Sequence, residues 1–257
     1  MDAILETRGL SKQFLGFSAV SDVSLAVRRG SIHGLIGPNG AGKTTCFNLL
    51  TKFLPPSSGT IRFDGRDITR MKPAEVARLG LVRSFQISAV FPHLSVLENV
   101  RVALQRARGG SYDFWRSDAV LRRYDARARE LLHEVGLAGF ADQPAVELSY
   151  GRKRALEIAT TLALEPTMML LDEPTAGMTA EDVDRIVALV RRVAAGRTVL
   201  MVEHNLKVVE GLCDTITVLT RGKVLAEGPY AEVSRNPEVV AAYLGSDPAI
   251  SGGAAHG

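Results

Sequence analysis

The feature that most constrains this chain is the glycine-rich segment Gly37-Pro38-Asn39-Gly40-Ala41-Gly42-Lys43-Thr44-Thr45. It satisfies the pattern G-x-x-x-x-G-K-[ST], and it lies between an apolar run, 31–36, that predicts a strand and a stretch, 43–53, that predicts a helix. In such a context the glycines let backbone N–H groups wrap phosphate oxygens, and the helix amino end adds partial positive charge. Lys43 would neutralise the β and γ phosphates, and Thr44 would offer a magnesium ligand. This segment, the phosphate loop, predicts binding of ATP with Mg²⁺.

Two more apolar runs predict buried parallel strands. Residues 167–171 end on Asp172-Glu173, and residues 198–202 precede Glu203-His204. Between them the apolar residues keep helical spacing, with Thr179 as a predicted N-cap and Gly196 as a predicted stop. A carboxylate at a strand end can reach magnesium held by a phosphate loop, and a neighbouring carboxylate can orient an attacking water. We therefore expect Asp172 to bind the metal and Glu173 to act on water, although such a pair taken alone is more often a solvated turn.

The rest of the chain predicts the remaining architecture. Helical patterns dominate 91–164, with a soft break at 108–111, and tight turns at Asp64-Gly65 and 220–222 predict antiparallel strands around them. The fold class expected is α/β: a P-loop NTPase core of mostly parallel sheet with flanking helices, an antiparallel β portion and an inserted α-helical subdomain. We expect one domain over 1–245, with the helical subdomain at about 88–164 inserted in the core, and a disordered tail over 246–257.

Composition excludes several classes of protein. No apolar run reaches the roughly 18 residues that a membrane-spanning helix needs, so any membrane association is expected to be peripheral. The formal net charge is only +3, and the sequence contains no block of five or six like charges. The charge therefore does not favour nucleic acid as a partner. Cys46 and Cys213 have neither metal nor redox spacing, so we expect free thiols, a disulfide being the minority alternative. An acidic start in place of a signal peptide predicts a cytosolic protein, soluble when isolated.

The N-terminus of a second predicted helix could also bind phosphate. The run Leu148-Ser149-Tyr150-Gly151-Arg152 opens a predicted helix, where backbone N–H groups lack intrahelical partners. Ser149 and Gly151 are candidate phosphate contacts, and an ordinary N-cap is the alternative. The position of this run ahead of Asp172 favours the functional interpretation.

Taken in order, these motifs resemble those of the ATPase subunits of ABC transporters, over residues 10–245. The resemblance implies a site completed by a facing subunit, whose Ser149 and Gly151 close over the nucleotide. It identifies the Walker A loop, the signature, the Walker B strand and the D-loop with residues 37–45, 148–152, 169–173 and 174–179.

By the same resemblance, individual residues acquire roles. The implied catalytic residues are Glu173, His204, Gln86 and Lys43, with Gln86 as the Q-loop glutamine and His204 as the switch histidine. The implied metal ligands are Thr44, Asp172 and Gln86. The implied nucleotide contacts are Phe14, Val20, Gly37, Pro38, Asn39, Gly40, Ala41, Gly42, Lys43, Thr44, Thr45, Ser149 and Gly151. Phe14 would stack on adenine, and a core phenylalanine is its alternative.

The sequence departs from the family pattern at three positions. Tyr150 replaces a glycine and Arg152 a glutamine in the usual Leu-Ser-Gly-Gly-Gln signature, and Thr179 stands where many relatives carry aspartate. The first two leave Ser149 and Gly151 in place. The third puts the expected contact across the dimer in doubt.

The signature, the segment 173–178 and the segment 236–245 resemble the branched-chain, or hydrophobic, amino-acid uptake group, and the chain looks most like the larger of that group's two ATPase subunits. Related cassettes for urea, amides or aromatic acids are the alternative. The resemblance implies a second ATPase subunit, homologous or identical, two transmembrane permease subunits and, indirectly, an extracytoplasmic substrate-binding protein. It also implies peripheral attachment at the cytoplasmic face of the inner membrane. An ABC ATPase acting on nucleic acid or ribosomes is the rival from another class, and a P-loop kinase is a second rival.

Overall fold

The computed structural model describes residues 2–84, 90–107 and 122–244. The strands, in chain order, are β1 Ala3–Phe14, β2 Phe17–Arg28, β3 Ile32–Ile36, β4 Ser58–Phe63, β5 Arg66–Asp67, β6 Leu81–Arg83, β7 Met168–Asp172, β8 Thr198–Val202, β9 Thr215–Thr220 and β10 Lys223–Gly228. The α-helices are Lys43–Leu50, Pro73–Arg78, Val96–Ala107, Asp125–Glu134, Tyr150–Leu162, Ala180–Val193, Leu206–Leu212, Tyr230–Val233 and Pro237–Leu244. Short 3-10 turns lie at Arg122–Tyr124, Ala138–Phe140 and Ala145–Glu147.

The chain divides into two compact units, one formed by residues up to Val76 together with those from Thr198 onward, the other by Ala77–Arg197. The single domain expected over 1–245, with its subdomain near 88–164, stays a prediction. The expected break at 108–111 and tail at 246–257 lie outside the described residues.

The first unit holds two sheets. In one, β1 pairs antiparallel with β2 and with β4, and β4 pairs with β5 across a turn in which Asp64 and Gly65 both have positive φ. In the other, β3 lies between β8 and β9 and runs parallel to both, while β10 pairs antiparallel with β9. The predicted tight turn at Asp64-Gly65 and the predicted hairpin across 220–222 are both confirmed, and Arg221 and Gly222 also have positive φ, as a type I′ turn requires.

The hydrophobic core of this unit holds the end of β3, from which the phosphate loop begins. Ile36, the last residue of β3, packs in a buried cluster with Ile216 and Val218 of β9. Val233, Val239 and Tyr243 of the C-terminal helices cover that cluster. All five residues of β3 are buried, as a strand between parallel neighbours should be.

The second unit is mainly helical, which confirms the helical patterns of 91–164 for its described residues. The helix Val96–Ala107 packs against Asp125–Glu134 and Tyr150–Leu162, and the last of these packs against Ala180–Val193. The strands β6 and β7 run parallel, with Leu81 opposite Met168. The predicted cap of Ala180–Val193 is confirmed, since the Thr179 hydroxyl accepts the Asp182 N–H, and Gly196 follows the helix end with φ 76°.

One predicted boundary is wrong. The first helix ends at Leu50 and not at residue 53, because Lys52 takes a left-handed φ of 64° that terminates the hydrogen-bond ladder. Both cysteines are free thiols, as expected. Within the described ranges, no helix has the length and apolar content to cross a membrane.

Candidate active site

The phosphate loop leaves β3 through backbone geometry that only glycine can adopt. Gly37 has φ 149°, and a Cβ there would lie 2.2 Å from the carbonyl oxygen of Leu219. Gly42 has φ 98°, and its Cβ would lie 2.5 Å from the carbonyl oxygen of Ala19. At the tip, Gly40 has φ 77° and faces space with no described atom within 4 Å of a Cβ. The loop is thus packed tightly at both ends and open in the middle, which suits a polyphosphate.

Lys43 lies across this loop. Its side chain is buried, and its ammonium donates to the carbonyl oxygens of Gly37 at 2.7 Å and Pro38 at 3.0 Å. The helix Lys43–Leu50 starts on Gly42, which has no side chain to cap it. The first-turn N–H groups of a helix lack intrahelical acceptors, so this terminus offers donors and partial positive charge to an anion. Thr44 beside it is exposed and Thr45 is half-buried.

The far side of the loop is supported by a residue that the motif does not include. The Gly222 N–H donates to the carbonyl of Ala41 at 2.9 Å, and the Gly222 carbonyl accepts from the Ser21 N–H at 2.8 Å. A Cβ on Gly222 would lie 2.7 Å from the carbonyl oxygen of Ala19, so the turn between β9 and β10 closes against β2 and the loop together. The turn residues at 220–222 signal the hairpin, but nothing in their pattern signals this contact.

Two predicted nucleotide contacts lie on β1 and β2. Phe14 is 41% exposed, which contradicts the core alternative for this residue, and the Lys12 ammonium lies 5.2 Å from the centre of its ring. Val20 is fully buried, with a methyl group 3.6 Å from where a Cβ of Gly42 would stand. The ring of Phe14 is therefore available for stacking, whereas Val20 contributes by packing behind the loop.

Behind the loop, β3 carries a buried histidine. His33 Nε2 lies 2.8 Å from the Thr217 hydroxyl, which in turn donates to the Glu227 carboxylate at 2.6 Å. Because the hydroxyl proton goes to Glu227, His33 Nε2 carries a proton and donates. Burial lowers the pKa of His33 to about 4. The ring is neutral at physiological pH.

His204, the predicted switch histidine, follows β8 in the same unit. Its side chain is exposed, and Nδ1 lies 3.7 Å from the carboxylate of Glu203, which is buried. That carboxylate accepts the backbone N–H groups of His204 and Asn205 at 2.8 and 3.0 Å. Glu203 therefore fixes the backbone that presents His204.

The second unit carries the predicted acidic pair in a segment, Asp172 to Pro174, that we name the carboxylate turn. The Asp172 carboxylate forms an ion pair with Arg83 of β6, and both side chains are largely buried. Glu173 is exposed and has a left-handed φ of 44°, which is uncommon for a residue other than glycine. The guanidinium of Arg154 contacts the backbone of this turn. Sequence reasoning assigned neither arginine a role, because their contacts with Asp172 and Glu173 join segments that are separate in the chain.

The signature residues start the helix Tyr150–Leu162 in the same unit. Ser149 is the N-cap by position, but its side chain makes no capping hydrogen bond, which weakens the interpretation as an ordinary cap. Gly151 is buried because the helix passes close to Asp182, whose Oδ1 would lie 2.9 Å from a Cβ. Of the three departures, Arg152 stacks on the Phe140 ring at 4.0 Å and Thr179 caps the next helix. Tyr150 is 46% exposed.

The predicted site residues thus fall into two groups, each described within its own unit. Phe14, Val20, the phosphate loop and His204 belong to the first, and Ser149, Gly151, Asp172 and Glu173 to the second. Gln86 lies outside the described residues. Among those described, no cluster of three or more His, Cys, Asp or Glu side chains could hold a metal by itself. The hydroxyl of Thr44 in the first unit and the carboxylate of Asp172 in the second are each hard oxygen donors, the kind of ligand that Mg²⁺ prefers.

Comparison with known proteins identifies the group to which these features belong. Residues 20–176 match the ABC transporter family, and residues 223–249 match the family described as branched-chain amino acid ATP-binding cassette transporter. The chain is 39% identical over 250 residues to the high-affinity branched-chain amino acid transport ATP-binding protein BraF of Pseudomonas aeruginosa, covering 94% of this chain and 98% of that protein.

Solved structures show the same similarity. The ADP conformation of an ATP-binding cassette of an ABC transporter has a TM-score of 0.82 and 31% identity, and the match covers 95% of this chain and all of that one. A dimeric, post-hydrolysis ATP-binding cassette bound to ADP and Pi has a TM-score of 0.72 and 26% identity, covering 88% of this chain and 98% of that one. The P-loop NTPase fold expected from the motifs is thereby confirmed.

Proposed function

Because this chain belongs to the ABC transporter family, we propose that it is the ATP-hydrolysing subunit of a bacterial importer of branched-chain amino acids. The observation that carries the ATPase proposal is the phosphate loop, whose glycines and helix start form an open anion cradle behind Lys43. The substrate class is supported by BraF and by the match of residues 223–249.

At the phosphate loop, Lys43 would exchange its bonds to Gly37 and Pro38 for bonds to the β and γ phosphates. The exchange replaces neutral acceptors by anionic ones, and charge-assisted hydrogen bonds are the stronger kind. The backbone N–H groups of the loop would bind the remaining oxygens, and Phe14 would stack on the base. Val20 would keep the loop packed from behind.

The residues proposed for magnesium are Thr44 and Asp172, with Gln86 as a further ligand. Bound there, Mg²⁺ would offset the charge that develops on the phosphate oxygens. The ion pair with Arg83 would orient the Asp172 carboxylate, as a residue behind a metal ligand does.

Glu173 is the proposed general base, because it is the exposed carboxylate beside the proposed metal ligand. It would take a proton from the attacking water, while Gln86 and His204 would contact the γ-phosphate. His204 is exposed and backed by Glu203, so it can reach outward without losing backbone support.

The proposed assembly has two such ATPase subunits and two membrane-spanning permease subunits, served by an extracytoplasmic substrate-binding protein. In it, Ser149 and Gly151 of one subunit would close over the nucleotide of the other. The uncapped Ser149 side chain and the dimeric cassette among the similar structures support this arrangement. The chain would work at the cytoplasmic face of the membrane and would not bind nucleic acid.

The ATPase proposal is tested by Glu173→Gln in the purified chain. We expect ATP binding to persist while phosphate release falls by about 100-fold or more, because the amide cannot accept the proton from water. Binding by fluorescence titration and turnover by phosphate release separate the two effects. Ordinary turnover in this variant would remove Glu173 from the role.

The importer proposal is tested in the cells that naturally carry this gene. A tagged chain should copurify with permease subunits, and Glu173→Gln should abolish uptake of radiolabelled leucine. Leucine uptake that is unchanged in Glu173→Gln, together with loss of radiolabelled urea or amide uptake, would assign the chain to one of those related importers instead.

A further inference from the structure

Arg154 is a buried cation in the second turn of the helix Tyr150–Leu162. Its side chain is 9% exposed, and its Nη1 pairs with the Glu157 carboxylate at 2.6 Å. Glu157 is itself 2% exposed. Burying an ion pair costs free energy unless its donors and acceptors form hydrogen bonds. The remaining N–H donors of the guanidinium should therefore have acceptors nearby.

Those donors converge on the carboxylate turn. Nη2 donates to the carbonyl oxygen of Asp172 at 2.5 Å and to that of Glu173 at 3.0 Å, and Nε donates to the carbonyl oxygen of Pro174 at 3.3 Å. Three consecutive carbonyls are therefore gathered around one planar cation. Arginine presents five N–H donors in a rigid planar fork, which holds several acceptors at fixed angles, whereas the donors of a lysine ammonium rotate about a single nitrogen.

The turn gathered in this way is strained. Glu173 has φ 44°, a left-handed conformation that costs energy in any residue with a Cβ and persists only where neighbours impose it. Its carbonyl also accepts the Ala176 N–H at 3.1 Å. Since the backbone of a residue sets the direction of its side chain, the same clamp sets where the Glu173 carboxylate points.

A second arginine of the same unit shows what an ordinary anchor looks like. Arg197 Nη1 lies 3.4 Å from the Glu134 carboxylate and 2.9 Å from the Val193 carbonyl, at the end of its own preceding helix. That pair ties one helix end to one neighbour and touches no strained residue. Arg154 differs because all three of its carbonyl partners lie in a segment distant in sequence that bears the acidic pair.

We propose that Arg154 is a positioning residue for Glu173, acting through the carbonyls of Asp172, Glu173 and Pro174. The inference rests on the proposed function, since it takes Glu173 as the base. The helix that begins with the signature residues would thereby also orient the Glu173 carboxylate, which is the proposed base.

The test is a double-mutant cycle on ATP turnover in the purified chain. Arg154→Met should lower kcat about 10- to 100-fold with KM for ATP changed less than about twofold, because ATP binding does not require an oriented base. In the Glu173→Gln background, Arg154→Met should cause less than about a twofold further loss, because a residue that acts through Glu173 has nothing left to position. A merely structural residue would lower both backgrounds equally.

Two variants keep the test interpretable. Arg154→Lys retains the charge beside Glu157 without the fork, so it should fold and still lose about tenfold in kcat. If circular dichroism shows that Arg154→Met does not fold, Arg154→Lys replaces it in the double-mutant cycle. Arg197→Met, which removes an arginine–glutamate contact elsewhere in the unit, should leave kcat and KM within about twofold of the parent.

The outcomes separate the two ideas. Wild-type turnover in Arg154→Lys and Arg154→Met, or losses that add to that of Glu173→Gln, would overturn the positioning role and leave the proposed function standing. Failure of Glu173→Gln to slow turnover would overturn the role of Glu173, and the inference with it.

Discussion

The phosphate loop and the carboxylate turn hold left-handed backbone in opposite ways. In the loop the residues with positive φ are glycines, and the two at its ends, Gly37 and Gly42, lie against the backbone carbonyls of Leu219 and Ala19. In the turn the residue is Glu173, and what restrains it is the guanidinium of Arg154. The conformation of the loop thus depends on residues that have no side chain, whereas that of the turn depends on the long side chain of Arg154.

This difference predicts different sensitivities. A loop held by backbone contacts should be damaged by an added side-chain atom at Gly37 or Gly42 and should tolerate changes in most of the side chains around it. A turn held by charged side chains should be damaged by changes at positions far away in the sequence, while its own flanks tolerate substitution. The following experiments test that division in order of decreasing effect.

Lys43→Ala should have the largest effect, because it removes the charged loop side chain proposed to neutralise the β and γ phosphates. We expect ATP affinity to fall by about 100-fold or more, since a charge-assisted contact to two phosphates is lost. Fluorescence titration with a nucleotide analogue measures it. Lys223→Ala, at an exposed lysine of β10, is the control that should bind normally. Normal binding by Lys43→Ala would show that backbone alone makes the site.

Ser149→Arg tests the other unit at its helix start. We expect hydrolysis to fall by about 100-fold while ATP affinity of the isolated chain changes less than about twofold, because the residue would act on the partner's nucleotide. Turnover and affinity are measured on the same sample, with Ser234→Arg as an exposed control in the first unit. An equal loss of affinity would contradict a facing-subunit role.

Gly222→Ala tests the backbone contact between the β9–β10 turn and the phosphate loop. At φ 77°, the new Cβ would lie 2.7 Å from the Ala19 carbonyl oxygen, so strain and clash add. We expect the free energy of unfolding to fall by about 3 kcal/mol, with ATP affinity weakened roughly fivefold. Urea denaturation and nucleotide titration provide the two measurements.

The matched control for that variant is Gly196→Ala in the second unit. Gly196 has φ 76° and no described atom within 4 Å of a Cβ, so only the conformational cost remains, about 1 kcal/mol. Equal losses in the two variants would mean that close approach to β2 contributes nothing to the loop.

The smallest effect concerns acid stability of the first unit. Burial lowers the pKa of His33 to about 4, below its ordinary value of 6.5. Between those values the unfolded chain binds a proton that the folded chain excludes, so stability falls as pH falls from 6.5 to 4 and is unaffected above 6.5. The linked loss is roughly 2 kcal/mol at pH 5.

His33→Gln should remove that dependence, since glutamine can donate to Thr217 and does not titrate. Urea unfolding of the parent and the variant at pH 7 and pH 5 provides the comparison. A parent that loses no more stability than the variant at pH 5 would show that His33 is protonated in the fold at little cost.

The sequence was sufficient wherever a property depended on contiguous residues. The strands before and after the phosphate loop, the cap at Thr179 and both hairpin turns follow from local apolar spacing and turn residues, and all are present. The end of the first helix was not predictable, because Lys52 adopts a conformation that its residue type disfavours. The exposure of Phe14 could not be read from its surroundings in the chain, which suit a core position equally well.

The sequence by itself was enough to recognise the ordered motifs of an ABC ATPase and to predict a phosphate-binding site at residues 37–45, because that chemistry requires particular residues at fixed spacing along the chain. Only the tertiary structure revealed that Gly222 closes the loop and that Arg83 and Arg154 hold Asp172 and Glu173. These contacts join residues far apart in the chain, and their geometry depends on how strands and helices pack, which no local spacing encodes.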